Sequence, residues 1–232
     1  MKQLFTIACA AIILCSCNRI TGSGRIVTEK RNTGNFNGIS VSQGIEVDLK
    51  SGETNVVAET DDNVMRFLET EVVNGTLRIR LSGHNSYNNV HFKVYVSAPE
   101  INRLTASSAS EIDAIDVLRS GDDIKLSSSS AGHITAEINA PGVSAESSSG
   151  GGMKLTGRTR DFKATVSSGA NLEAEDLLSE NTIVNASSGG HAYVHASVSI
   201  KANASSGSNI RYKGGAPENA HASSGGSVSK ED

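Results

Sequence analysis

The sequence contains no tryptophan, three prolines, three cysteines and only 4% aromatic residues. A large core built on rings is therefore not expected. With so little proline there is no Pro/Gly linker between the halves of the chain, and Pro99 marks only a soft boundary. Charge of one sign is also missing: 21 basic residues face 25 acidic ones, a net of -4. Residues 1–17 contribute only Lys2 to this balance, so the remainder stands at 20 against 25, or -5. Such a chain has no electrostatic footprint for nucleic acid or for anionic lipid headgroups. No Gly-x-Ser-x-Gly elbow, Walker-type loop or dinucleotide fingerprint occurs, so its serines lack a nucleophile context and no cofactor is expected.

What is present begins at the N-terminus. Lys2 precedes an apolar run of 13 residues, Leu4 to Ser16, too short to span a bilayer and suited to a signal-peptide core. The stretch Leu14-Cys15-Ser16-Cys17 resembles the lipobox of bacterial lipoproteins. That resemblance implies cleavage before Cys17 and a diacylglycerol on its sulfur, hence a membrane partner through lipid. Cys9 and Cys15 leave with the signal, and a thioether-linked Cys17 avoids a lone free thiol in an oxidising compartment. Several acyl chains, at ~0.8 kcal/mol per buried methylene, make such an anchor stable. The organisation expected is a signal over 1–17, a tether over 18–24 and one domain over 25–232.

The second half carries a repeat. A Ser-Ser-small signature has its second serine at Ser108, Ser130, Ser149, Ser168, Ser188, Ser206 and Ser224, with spacings of 22, 19, 19, 20, 18 and 18. Disorder would stop at that composition, but here apolar residues keep register with the serines. Four positions after each marker stand Ile112, Ile134, Met153, Leu172, Ala192, Ile210 and Val228. Four before it stand Leu104, Leu126, Ala145, Ala164, Val184, Ala202 and Ala220. Positions two before and six after are mostly apolar too, with polar residues between. This alternation has a period of two and puts the apolar set on one strand face.

One repeat cannot bury its stripe alone, whereas parallel stacking buries a column and pairs the backbone. The expected fold is all-β, a parallel β-solenoid of about seven rungs over 101–232, rising roughly 29 Å in six steps of ~4.8 Å. Its inward residues are small, so the interior is narrow. The marker serines would form a structural ladder, and parity points the second serine of each pair inward. Lys230 and Glu218 on formerly apolar tracks make the last rung a polar cap.

Residues 25–100 read as β-rich but not repetitive at this period. Ile39 and Val41, then Ile45, Val47 and Leu49, alternate around Gln43-Gly44, as do Val90, Phe92, Val94 and Val96. Asn74-Gly75 signals a two-residue hairpin. Residues 62–69 are expected as a short helix capped by Thr60 or Asp61.

Phe36-Asn37-Gly38-Ile39-Ser40-Val41 followed by Gly44-Ile45-Glu46, with Val94-Tyr95-Val96-Ser97-Ala98-Pro99-Glu100, resembles the putative auto-transporter adhesin, head GIN domain family. Glu46 departs from the Asn or Asp of the family's tripeptide. The resemblance implies a β-helical fold and a Bacteroidetes-type envelope lipoprotein. Asn18 after the cysteine favours the outer membrane, at its periplasmic face or at the cell surface.

Chemistry-bearing residues are sparse. His133 and His191 share a repeat position three rungs apart, roughly 14 Å, too far for one zinc; no metal is expected. Glu137 and Glu175 both lie seven positions after a marker, two rungs or ~9.6 Å apart, near the upper limit for an inverting carboxylate pair. They carry the alternative reading, a carbohydrate-active hydrolase or lyase. Arg103, Lys125, Lys163 and Lys201 form a partial cationic track. The leading reading is a non-catalytic scaffold or adhesin-like binding module, with a glycan, an envelope protein or a second copy of the chain as partner and many weak equivalent contacts adding up.

Overall fold

In a computed structural model the protein is described over residues 19–217 and 219–231. The coil is organised by its turns. Each marker serine has a positive φ, from 49° to 54°, and so has the Ala or Gly after it, from 59° to 76°. Two consecutive left-handed residues make a type I′ turn. It is closed each time by a hydrogen bond across four residues, as from Gly151 N–H to Ser148 O at 2.9 Å and from Gly190 N–H to Ser187 O at 2.9 Å. A left-handed serine costs roughly 1–2 kcal/mol, which glycine avoids. The turns offset this by bonding to one another: Gly150 N–H donates to Ser168 O at 3.1 Å, Gly169 to Ser188 at 3.1 Å and Gly189 to Ser206 at 3.1 Å.

The expected inward tracks are inward. Ile134, Met153 and Leu172 pair in strict parallel register and are 1%, 3% and 0% exposed. Leu104, Leu126, Ala145, Ala164, Val184 and Ala202 superimpose in the same way and are buried. A further column, Ile124, Val143, Phe162, Thr182 and Ile200, fills the bend opposite the turns. Around that bend the strands His133–Ser147, Gly152–Val166 and Asn171–Ala186 run unbroken from one turn to the next.

The marker serines do not point inward. All seven are exposed, because the two left-handed residues interrupt the alternation on which the parity argument relied. Their ladder is made by the backbone. The buried hydroxyls lie elsewhere: Ser128 and Ser147 bond to each other at 2.8 Å, Ser110 Oγ donates to Val41 O at 3.1 Å, and Ser208 Oγ donates to Ala186 O at 2.9 Å. The positions of Ser110 and Ser208, two after the marker, admit only small residues elsewhere. A Cβ on Gly132 would lie 2.3 Å from Ala106 O.

The N-terminal section is β-rich, and it also contributes rungs. Ser42-Gln43-Gly44-Ile45 is the same turn, with φ of 66° at Gln43 and 70° at Gly44, and Gly44 N–H donates to Ser108 O at 2.9 Å. Strands Gly38–Val41 and Glu46–Ser51 stack on Arg103–Ser107 and Glu111–Ala114. On their other side lie Thr76–Leu81 and Phe92–Ala98. There the turn is replaced by a longer loop, and Gln43 Oε1 accepts the Leu81 N–H at 2.8 Å. Rungs built from chain segments out of sequence order leave no period to read. Beyond them the parallel stack ends in antiparallel pairings, Asn55–Asp61 on Phe92–Ala98 and Leu68–Val73 on Thr76–Leu81, with Ile26–Arg31 outermost. These strands cover the open edge.

Two local expectations differ from the structure. Of the helix expected over 62–69 only a 3-10 turn, Met65–Phe67, exists, without a side-chain cap. The Asn74-Gly75 hairpin draws Leu68–Val73 into antiparallel pairing instead, and the Asp61 carboxylate accepts the Gly24 and His91 N–H groups. The stretch 18–24, expected as a tether, is docked over its described residues. Arg19–Thr21 pairs with Ser86–Asn88, and Ser23 Oγ donates to Asp62 at 2.6 Å.

Leu172→Ala should lower stability by about 2–5 kcal/mol, since the stacked neighbours cannot collapse into the cavity; chemical denaturation measures it. Ser168→Gly should leave the stability unchanged or raise it, while Ser168→Val, β-branched at positive φ, should lower it by about 1–2 kcal/mol or more. A loss in the glycine variant would contradict the exposed placement of this side chain.

Candidate functional site

Because every rung repeats the same path, outward side chains form straight columns, and these are the surfaces on which function can be sought. The first is the cationic track. Arg103, Lys125, Ser144, Lys163, Ile183 and Lys201 stand in register along one strand face. Glu146 lies two residues beyond Ser144 in the adjoining column.

The carboxylate pair does not survive the register. Glu137 pairs with Thr156, and Thr156 pairs with Asp176, so Asp176 occupies the column assigned to Glu175. The pairing shifts between Lys154 and Thr156, which makes Glu175 the extra residue of a β-bulge. That extra residue accounts for the 20-residue spacing from Ser168 to Ser188. Glu175 is half-buried with Oε2 lacking a partner, while Glu137 is exposed on the regular strand.

His133 and His191 do share a column, separated by Gly152 and Asn171. His133 Nδ1 donates to Ala131 O at 3.1 Å and its ring lies over Gly152, where a Cβ would come within 2.7 Å of Cδ2. Among the described residues no group of three or more His, Cys, Asp or Glu side chains is placed to hold a metal. Cys17, the expected lipidation site, lies outside the described residues.

The bend side carries a column that sequence spacing did not reveal. Arg119 pairs with Asn139, Asn139 with Arg158, and Arg158 with Leu178. Two cavities line this column. One of about 470 Å³ is bordered by Glu100, Arg119, Ser120 and Asn139. The other, of about 490 Å³, is bordered by Asn139, Arg158, Arg160, Leu178, His195 and Ser197. At its edge Arg160 donates to Asp161 at 2.8 Å. That bond, and a second from Asn181, hold the Asp161 carboxyl below its ordinary range. The signal for this column was hidden by insertions: Arg119 lies 11 residues after its marker, Asn139 and Arg158 nine, and Leu178 ten.

Solved structures share this fold, among them the following three. A putative adhesin from Bacteroides fragilis superimposes with a TM-score of 0.84 at 19% identity, covering 91% of this chain and 100% of its own. A putative lipid binding protein from Parabacteroides distasonis gives 0.78 at 18% identity, covering 93% and 100%. A putative adhesin from Parabacteroides merdae gives 0.73 at 16% identity, again covering 93% and 100%. Among curated proteins no sequence matches. At these identities the structures speak for the fold alone. The sequence itself matches a family description across residues 35–216, from just before the strand Gly38–Val41 to just beyond the strand Asn209–Lys213. The turn at Gly44-Ile45, the stacked rungs and this match agree: the chain belongs to the putative auto-transporter adhesin, head GIN domain family.

Proposed function

We propose that the protein is a lipid-anchored component of the cell envelope that binds its partners through repeated surface columns and performs no catalysis. The observation carrying this reading is the register itself. It sets the outward side chains of successive repeats one rung apart in straight columns, so contacts that are weak singly act together. Membership of an adhesin family supports the envelope location and the binding role. The enzyme alternative as built on Glu137 and Glu175 lacks its geometry, because those two do not share a column; the residue in register with Glu137 two rungs on is Asp176.

The anchor reading rests on Leu14-Cys15-Ser16-Cys17. Since residue 19 is already paired in a strand, an acylated Cys17 would hold the folded part of the chain close to the bilayer. Cys17→Ser is expected to move the protein from the membrane to the soluble fraction. Continued partitioning of that variant with membranes would refute the anchor.

Incubation with a panel of envelope polysaccharides should retain the protein without releasing reducing ends or unsaturated products. Product release that disappears in Glu175→Gln would overturn the non-catalytic reading.

A further inference from the structure

We infer that the bend side of the coil is a binding groove for an acidic oligosaccharide, with Arg119 and Arg158 gripping carboxylates on alternate sugars and the Asn139 amide contacting the sugar between. This deepens the binding role proposed above and rests on it. Register places the two arginines two rungs apart, ~9.6 Å, on either side of Asn139. The two cavities flanking the column meet at Asn139, so the concave surface continues past both arginines. Among the described residues neither guanidinium has a hydrogen bond or ion pair. The nearby acids are partly engaged elsewhere: Glu100 accepts from Ser120 at 3.4 Å and Asp161 is held by Arg160. Glu180 lines the same groove and remains exposed at its far end.

The chemistry of the lining selects the ligand class. A guanidinium fork pairs with a carboxylate through two parallel hydrogen bonds. An amide both donates and accepts, as sugar hydroxyls require. Leu178, 45% exposed, continues the column as an apolar surface against which the CH face of a sugar ring can rest. His195, fixed by donating Nδ1 to Ser179 O at 3.1 Å, and Ser197 complete the polar wall. The lysine track on the strand face of Arg103 and Lys125 lacks this combination. Ser144 and Ile183 interrupt it.

The test titrates the purified full chain in detergent with tetragalacturonate, with its carboxyl-reduced neutral counterpart and with hexaglutamate, by calorimetry. Tetragalacturonate should bind at least about tenfold more tightly than either comparator, and less tightly as salt is raised. Arg158→Ala and Arg119→Ala should each weaken it about tenfold, Arg158→Lys should restore part of the loss, and Lys163→Ala should change nothing. Both arginines are exposed, so unchanged melting curves will show that the variants remain folded. Equal binding of the neutral sugar, equal binding of hexaglutamate, or indifference to both arginine substitutions would each overturn the inference. If tetragalacturonate fails while the polysaccharide panel still retains the protein, the groove assignment falls and the binding role stands. If both fail, the binding role falls with it.

Discussion

The structure depends on pairs of left-handed residues stacked at one edge of the coil. A two-residue turn reverses the chain with no slack; each marker-serine turn is hydrogen-bonded within itself, and each but the last also to the next. The second central position, mostly glycine, supplies a donor to the rung above; the first, serine, supplies the acceptor. Once that edge is locked, adjacent strands have no freedom to slip, since a one-residue shift would expose the whole apolar column. The regular registers that follow, from Leu104 to Ala202 and from Ile112 to Ile210, are consequences of this edge.

A tight turn also fixes the width of the interior. Two strands leaving a two-residue turn stay close, so the inside of the coil is filled mostly by Ala, Val, Leu and Ile, with Met153, Phe162 and Tyr212 as its larger members. Polar inward residues are tolerated where they find partners along the axis, as Ser128 does in Ser147 and Ser208 in the Ala186 carbonyl. The same axis organises the outside. A protein that repeats its backbone path repeats its surface, and a single irregularity, the bulge at Glu175, moves one side chain out of its column. In this architecture binding surfaces are built by column and dissolved by insertion.

Much of this was legible before any coordinates. Ile134, Met153 and Leu172 keep a constant distance from a conspicuous turn signature, and apolar residues at a constant phase have to stack. The direction of the marker serines was not legible, because alternation holds only within strands and fails across two positive φ values. The carboxylates Glu137 and Glu175 looked aligned because counting from one marker assumes a regular strand; a bulge breaks that count without changing the composition around it. The rung at 38–51 escaped notice for a different reason: it is sandwiched between segments 76–98 and 103–114, and contiguity in space is not contiguity in sequence.

By itself the sequence determined the fold class, the narrow aliphatic interior, the spacing of the turns and the family, because each is written in residues a short and constant distance apart. Tertiary structure alone decided which serines face water, that the N-terminal strands close the stack by antiparallel pairing, and that Arg119, Asn139 and Arg158 line up. The serines follow from two consecutive positive φ values, the closure from pairing between distant segments, and the column from how the 22- and 20-residue repeats absorb their extra residues, the second of them in a bulge. All are settled by backbone pairing and turn geometry rather than by any local preference of the chain.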